Sequence, residues 1–170
     1  LLEKERKDDV ARIVLTASGG PFLRRPDVSG VTREDVLAHP VWKMGAKITV
    51  DSATMMNKCF EMIEARHLFS LPSDRIGVLI HPEAVVHGFV ELADGTVKAV
   101  LSPPDMKFAI SHVLHYPERA SCAGERLRLG ETGRLTFEEP DPGKPWMRLA
   151  RTAMETGGSF PAALICANDE

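Results

Sequence analysis

One predicted helix carries an amide, a cation and a carboxylate at the spacing that brings them onto one face. At about 100° per residue, Asn57 and Lys58 fall on either side of Glu61. Further along this arc come Ala65 and Leu68, so the polarity is confined to the first two turns. Because a face that is only solvated usually stays polar along its length, this polar patch is a candidate for chemistry.

The start of the same helix suits an anion. Unpaired backbone N–H groups and the positive end of the helix dipole favour negative charge there, and Ser52, Asn57 and Lys58 add side-chain donors. A glycine-containing loop, residues 18–20, follows the first strand and lets the backbone approach an oxyanion closely. The pattern therefore predicts a phosphate site. Glu61, one turn further in, would be repelled by that phosphate unless a cation lay between them, and a divalent metal meets this condition.

The same residues also have ordinary structural interpretations. Lys58 and Glu61, three residues apart, are more often a surface pair worth roughly a few tenths of a kcal/mol. Ser52 is more often a helix cap, and a strand followed by Ser-Gly-Gly is more often a simple turn. His39 suits a loop, and Trp42 suits a packing anchor. The remaining candidates default to core positions or to histidines without a metal-ligand spacing: Met44, Met106, His81 and His87.

Short apolar and β-branched runs predict the strands that must position this patch: residues 11–18, 48–53 and 75–82. Alternating apolar residues on both sides of Asp94-Gly95 predict a β-hairpin, so antiparallel strands join the sheet. Periodicity and end signals predict helices from the Thr32 and Asp35 start signature and at 53–69, 105–118, 146–158 and 161–170. The apolar arc of the 53–69 helix is expected in the core: Met55, Met56, Cys59, Phe60, Met62 and Ile63.

This element order predicts an α/β (α+β) fold, in which helices pack on a mixed sheet that includes a β-hairpin. We expect a catalytic or substrate-binding domain at 1–116, truncated at its N-terminus. A Gly-, Glu- and Pro-rich linker follows at 117–145, and a helical domain begins at 146–170. Segment 39–45, with its isolated tryptophan, is a candidate flap.

Composition excludes several classes of protein. The net charge of −3 over 170 residues, with 26% charged residues, gives no bulk charge for binding nucleic acid or a membrane surface. Three cysteines far apart in the sequence do not indicate a disulfide framework or a zinc site, so a reducing compartment is expected. No run of residues is apolar enough to predict a membrane span, and the charged start does not resemble a signal peptide.

Several segments together resemble the 1-deoxy-D-xylulose 5-phosphate reductoisomerase family: TASGGPF (16–22), HPVWKMGAKITVDSATMMNK (39–58), EMIEARHLF (61–69), VLIHPEAVVHGFVELADGTVKAVLSPPDM (78–106) and AALICANDE (162–170). The resemblance runs almost from end to end. It implies isomerisation and reduction of 1-deoxy-D-xylulose 5-phosphate to 2-C-methyl-D-erythritol 4-phosphate, in non-mevalonate isoprenoid biosynthesis. It also implies NADPH and a divalent metal, Mg²⁺, Mn²⁺ or Co²⁺, as cofactors.

The resemblance further implies a role for each site residue. Four residues would hold the substrate phosphate: Ser18, Ser52, Asn57 and Lys58. The catalytic set would be Glu61, which binds metal and substrate, His39, which contacts substrate, and Trp42, which covers the substrate from the flap. Met44, Gly45 and Met106 would lie near the nicotinamide.

The family pattern places an NADPH domain and an Asp-x-Glu metal motif before this sequence, so these 170 residues alone are expected to be inactive. Cys59 stands where a small residue such as Gly is expected, and we interpret it as a packing variation. The resemblance implies a homodimer in the bacterial cytoplasm or plastid stroma, with a small sugar phosphate as partner and neither nucleic acid nor membrane. The alternatives are another metal-dependent sugar-phosphate isomerase or aldolase, and a non-catalytic phosphate-binding dimerisation module.

Overall fold

The structure, a computed structural model, describes residues 5–25 and 27–169. Its strands are β1 Val10–Ala17, β2 Ile76–Ile80, β3 Val86–Leu92 and β4 Val97–Leu101. Its α-helices are α1 Arg33–Leu37, α2 Ala46–Thr54, α3 Met56–Phe69, α4 Met106–His115, α5 Leu129–Thr132, α6 Pro145–Thr156 and α7 Phe160–Asp169. Short 3-10 turns at Lys7–Asp9 and Ser73–Arg75 precede β1 and β2.

The four strands form one mixed sheet in the order β2-β1-β3-β4. Strand β1 runs parallel to β2 and antiparallel to β3, and β3 pairs antiparallel with β4. The β3–β4 turn follows its sequence signal: Asp94 Oδ1 accepts from the Thr96 backbone N–H at 2.8 Å, and Gly95 has a φ of +87°. The predicted α/β fold with a mixed sheet and a hairpin is confirmed.

The main core lies between the sheet and the helices α3 and α6. On α3, the predicted apolar arc is buried at Cys59, Met62 and Ile63, while its other members are partly buried against the same core. Burial raises the pKa of the Cys59 thiol to about 11, so this cysteine behaves as a packing residue. Helix α6 adds a run of buried side chains at helical spacing: Trp146, Met147, Ala150, Ala153 and Met154.

The predicted second strand at 48–53 is wrong, because these residues belong to α2. The β-branched residues Ile48 and Val50 are typical of strands, yet 39% of the Ile48 surface and 41% of the Val50 surface are exposed. The helix begins after Gly45, whose carbonyl oxygen accepts from the Thr49 hydroxyl at 2.8 Å. The next helix begins at Met56 instead of Ala53, since Met55 adopts a left-handed conformation with a φ of 65°. Local β propensity is therefore overridden by tertiary contacts here.

The segment predicted as a linker makes specific contacts with the sheet. Ile80 and Glu138 exchange backbone hydrogen bonds of 2.8 and 3.0 Å. The Phe137 ring stacks on the buried His81 ring, with centroids 4.6 Å apart. The division of the chain at 116 and 145 stays a prediction. In the structure, both the end of this segment and α6 pack on the elements that precede them.

Across the described residues, none of the helices combines the length and apolar character that crossing a membrane requires. All three cysteines are free, with Cys59 buried, Cys122 half-buried and Cys166 exposed.

Candidate functional site

A pocket with a volume of about 420 Å³ opens at the carboxyl ends of β1 and β2. Because these two strands are parallel, both chains leave the sheet at the same edge, which is where α/β sheets commonly bind ligands. Nine of the ten predicted site residues line the pocket: Ser18, His39, Trp42, Met44, Ser52, Asn57, Lys58, Glu61 and Met106. The tenth, Gly45, is exposed at the start of α2 and lies outside the lining.

A close backbone approach brings the loop after β1 against α2. A Cβ atom at position 20 would lie 2.6 Å from the Ser52 carbonyl oxygen, and Gly20 has a φ of +67°. Only glycine satisfies both conditions without displacing backbone. The contact places Ser18, two residues earlier, and Ser52 in the lining of one pocket.

The turn between α2 and α3 sets the direction of the polar patch. Met55 takes the left-handed conformation, which is uncommon for a residue with a side chain and costs about 1–2 kcal/mol. Its backbone N–H donates to the Ser52 carbonyl at 3.2 Å, and its carbonyl accepts from Lys58 and Cys59, each at 3.1 Å. The chain therefore changes direction between Ser52 and Asn57, and both residues line the pocket.

The amide, cation and carboxylate of α3 contact one another. Asn57 Nδ2 donates to Glu61 Oε1 at 2.6 Å, and Lys58 Nζ donates to Glu61 Oε2 at 2.5 Å. The Lys58 side chain is only 10% exposed, whereas Glu61 keeps 35% of its side-chain surface open. A lysine ammonium has three N–H groups, so Lys58 retains donors for an anion in the pocket. The surface-pair interpretation of Lys58 and Glu61 does not fit this burial.

His39 connects the flap to the loop after β1. Its Nδ1 accepts from the backbone N–H groups of Val41 at 3.1 Å and Trp42 at 2.9 Å. Because Nδ1 is an acceptor, the proton of the neutral ring sits on Nε2, which donates to Ser18 Oγ at 3.2 Å. Burial lowers the pKa of His39, which keeps the ring neutral at pH 7.

Two histidines without a metal-ligand spacing, His81 and His87, also line the pocket. His81 is fully buried and directly follows β2; its Nδ1 lies 2.8 Å from the Thr136 carbonyl oxygen. His87 Nε2 lies 2.8 Å from Ser102 Oγ, and the His87 ring is 6.3 Å from the Trp42 ring. Burial lowers the pKa of His87. The useful signal was their position beside strand ends at this edge of the sheet, because His81 follows β2 and His87 is the second residue of β3, and their spacing shows no metal motif.

Two carboxylates line this pocket, Glu61 and Asp105, and Glu61 is the candidate ligand for a divalent metal. Each of its oxygens accepts one hydrogen bond, so lone pairs remain for coordination. Within residues 5–25 and 27–169, no group of three or more His, Cys, Asp or Glu side chains is arranged to hold a metal ion. Mg²⁺ is commonly bound through one or two carboxylates together with substrate oxygens and water, so a single ligand from this chain fits such a site.

The sheet and the pocket define an open-sheet α/β domain with a ligand site that has a cationic end and a carboxylate. Residues 1–69 match the family described as 1-deoxy-D-xylulose 5-phosphate reductoisomerase C-terminal domain. Residues 101–170 match the DXP reductoisomerase C-terminal domain. The chain belongs to the 1-deoxy-D-xylulose 5-phosphate reductoisomerase family.

Individual relatives agree with this assignment. The 1-deoxy-D-xylulose 5-phosphate reductoisomerase of Chlorobium phaeovibrioides is 52% identical over 167 residues, which are 96% of this chain and 44% of the relative. The enzyme of the same name from Symbiobacterium thermophilum is 52% identical over 161 residues, which are 94% of this chain and 42% of the relative. A crystal structure of DOX-P reductoisomerase with NADPH, fosmidomycin and magnesium has a TM-score of 0.88 and 42% identity, over 95% of this chain and 41% of that one. The chain thus spans less than half the length of these relatives.

Proposed function

We propose that the complete protein containing this chain converts 1-deoxy-D-xylulose 5-phosphate to 2-C-methyl-D-erythritol 4-phosphate with NADPH, a step of non-mevalonate isoprenoid biosynthesis. One observation carries this proposal: Ser18, Ser52, Asn57, Lys58 and Glu61 line a single pocket. A similar protein of known structure was solved with NADPH, fosmidomycin and magnesium, which supports the assignment of cofactors.

In this proposal the cationic end of the pocket binds the substrate phosphate. Lys58 supplies a nearly buried positive charge, and hydrogen bonds from a charged donor to an anion are among the strongest in proteins. Asn57 and the hydroxyls of Ser18 and Ser52 complete the set of donors. The phosphate does not react, so its binding energy is available to align the carbon skeleton and to order the flap.

Glu61 would hold the divalent metal together with substrate oxygens. When bound, such a metal polarises a carbonyl and stabilises developing negative charge on oxygen. The hydrogen bonds from Asn57 and Lys58 fix the Glu61 carboxylate in one orientation before substrate arrives. The structure therefore supports Glu61 as a preorganised ligand between the phosphate end and the reacting carbons.

The flap would cover the substrate and exclude water. Trp42 and Met44 line the pocket from the flap, and His39 holds the start of that segment through two backbone N–H groups. Met106 lines the pocket from the start of α4. We assign Met44, Gly45 and Met106 to the surroundings of the nicotinamide, which supplies the hydride, and closure of the flap protects the reactive aldehyde from water.

We also infer a homodimer formed through this domain. Strand β4 is one of the two outer strands of the described sheet, and its residues Val97, Val100 and Leu101 are exposed. Helix α4 exposes Val113 and Leu114, each by 74%. Apolar side chains beside an unpaired strand edge are typical of an interface. Sedimentation equilibrium of the complete protein tests this, and the location in bacterial cytoplasm or plastid stroma rests on the family alone.

Purified complete protein tests the proposed reaction. We expect NADPH oxidation that requires both 1-deoxy-D-xylulose 5-phosphate and Mg²⁺, with 2-C-methyl-D-erythritol 4-phosphate identified by mass spectrometry. Omission of the metal, or its chelation, should stop turnover. Conversion of the sugar phosphate without NADPH consumption would show instead an isomerase or aldolase. Phosphate binding without any turnover would indicate a binding module.

A further inference from the structure

Helix α2 is held in place by a polar contact to the last helix. Its buried residues are both polar, Thr49 and Asp51, while Ile48 and Val50 remain exposed. Asn168 Nδ2, on α7, donates to Asp51 Oδ1 at 2.9 Å. A helix that buries no apolar face depends on such polar contacts for its position.

The other oxygen of the Asp51 carboxylate is also occupied. Lys47 Nζ, one turn earlier on α2, donates to Asp51 Oδ2 at 2.6 Å and lies 2.7 Å from Asp169 on α7. Only 9% of the Asp51 side chain is exposed, so a lost partner would leave a buried carboxylate incompletely satisfied. The pair between Lys47 and Asp169 is more open, with 57% and 50% exposure, and such surface pairs contribute little.

The position of Asp51 in the sequence connects this contact to the pocket. Asp51 immediately precedes Ser52, which lines the phosphate end and whose carbonyl contacts the Gly20 backbone. Helix α2 packs on α1 and α3, and it carries no apolar residue buried against the sheet. A shift of α2 toward solvent would therefore move Ser52 out of the pocket lining that it shares with Lys58.

We propose that Asn168 and Asp51 are positioning residues, which fix α2 so that Ser52 stands at the phosphate end of the pocket. Through this pair, α7 controls the affinity for the phosphate group. The inference rests on the proposed function for the identity of the substrate. The effect of Asn168 on the affinity for phosphate is expected whether or not the complete protein catalyses the proposed reaction.

The test uses Asn168→Ala in the complete protein, with Asp169→Asn as the matched control one residue later. We expect Asn168→Ala to raise KM for 1-deoxy-D-xylulose 5-phosphate and Kd for inorganic phosphate about tenfold, with kcat within twofold of wild type. Asp169→Asn should leave KM, the phosphate Kd and kcat within twofold of wild type. The efficiency with 1-deoxy-D-xylulose, which lacks the phosphate, should be unchanged in both variants, and a general structural defect would lower it.

A swapped pair provides a second measurement if Asn168→Ala does not fold. In Asp51→Asn combined with Asn168→Asp, the amide and the carboxylate exchange positions and the hydrogen bond can reform. We expect phosphate affinity within about threefold of wild type, since a reformed hydrogen bond restores most of the lost interaction. Unchanged phosphate affinity in Asn168→Ala, or no recovery in the swapped pair, overturns the inference. Loss of phosphate affinity in a protein that never oxidises NADPH would refute the proposed function alone.

Discussion

Two cavities lie at opposite ends of the sheet, and the larger one is not the candidate site. The pocket at the carboxyl ends of β1 and β2 has a volume of about 420 Å³. The other, about 580 Å³, lies near the amino ends of the same strands, between β2, segment 139–142 and α6. Three arginines line it: Arg12, Arg148 and Arg151. The candidate site is therefore neither the larger of these two cavities nor the one richer in arginine.

The difference is in what the polar groups are already bonded to. In the larger cavity, Arg151 donates to the Ser73 carbonyl, and Arg12 lies 4.0 Å from Glu91. These contacts commit Arg151 to a backbone carbonyl and bring Arg12 near a carboxylate of the sheet, so they link the ends of elements. In the smaller pocket, the contact between Lys58 and Glu61 uses one donor of the lysine and one lone pair of the carboxylate, so both residues keep bonding capacity in the pocket lining. Four predictions test this contrast, in decreasing order of expected effect on turnover.

Glu61→Gln in the complete protein should have the largest effect. The substitution keeps the size of the side chain and an acceptor for Lys58, but it removes the metal-binding charge. We expect kcat to fall by about 100-fold or more, while Kd for inorganic phosphate changes less than threefold. Steady-state kinetics and calorimetry measure the two quantities. Glu64→Gln, on the exposed side of the same helix, is the control and should match wild type.

Equal losses of phosphate affinity and kcat in Glu61→Gln would contradict the division of the pocket into two ends. Restoration of kcat by a raised Mg²⁺ concentration would agree with it, because an incomplete ligand set weakens metal binding before it alters the chemistry.

Lys58→Ala should act on binding. Removing one charged donor to an anion typically costs about 1.5–3 kcal/mol, so we expect KM and phosphate Kd to rise roughly 10- to 100-fold. Arg148→Ala, which removes an exposed cation from the larger cavity, should change either constant less than twofold. If Arg148→Ala weakens phosphate binding as much as Lys58→Ala does, the larger cavity takes part in binding and the contrast fails.

The sequence was sufficient for features that depend on local patterns. The apolar arc of α3, the hairpin at Asp94-Gly95 and the capping box of Thr32 and Asp35 each follow from spacing within a few residues. The shared pocket of Ser18 and the α3 patch was also predicted, from the Ser-Gly-Gly loop after a strand and from the polarity confined to the first turns of the helix, although the helix start was placed three residues too early.

The features that the sequence did not reveal depend on contacts between distant segments. Residues 48–53 carry the β-branched residues typical of strands, and in the helix that they form they contact the distant residues Gly20 and Asn168. Nothing in the local pattern of HPEAVVH indicates that Phe137 stacks on His81. The left-handed Met55 is likewise invisible, since a methionine carries no preference for that conformation.

Two glycines allow a matched comparison between the cavities. Gly20→Ala would place a Cβ atom 2.6 Å from the Ser52 carbonyl at a φ of +67°, so backbone must move. We expect a loss of about 1–3 kcal/mol in stability and a several-fold rise in phosphate Kd, because Ser18 and Ser52 separate. Thermal unfolding and calorimetry give the two values.

Gly77→Ala supplies the control at the larger cavity. Its Cβ atom would overlap the Arg12 guanidinium, but that group is the end of a flexible side chain that can swing into the cavity. The loss of stability should therefore be smaller, with phosphate Kd unchanged. If Gly77→Ala weakened phosphate binding more than Gly20→Ala did, the larger cavity would control the affinity of the candidate site for phosphate.

The smallest effect should appear as a pH dependence of the flap. Burial lowers the pKa of His39, so the neutral ring is favoured in the folded structure. The stability that His39 gives the flap is therefore fully present above about pH 6.5, the ordinary pKa of histidine, and is lost as pH falls through the lowered pKa. Protonated Nδ1 cannot accept from Val41 and Trp42, so their amide hydrogen exchange, corrected for the intrinsic rate, should accelerate on acidification.

Two asparagine variants separate His39 from the other histidines. In His39→Asn, the side-chain oxygen can occupy the position of Nδ1 and accept the same two N–H groups, but it does not titrate, so exchange at Val41 and Trp42 should become independent of pH. His67→Asn, at an exposed site on α3, should keep the wild-type pH dependence. If amide exchange at Val41 and Trp42 still depended on pH in His39→Asn, another group would be responsible. The next residue to substitute would be His87, which lies near Trp42 and has its pKa lowered by burial.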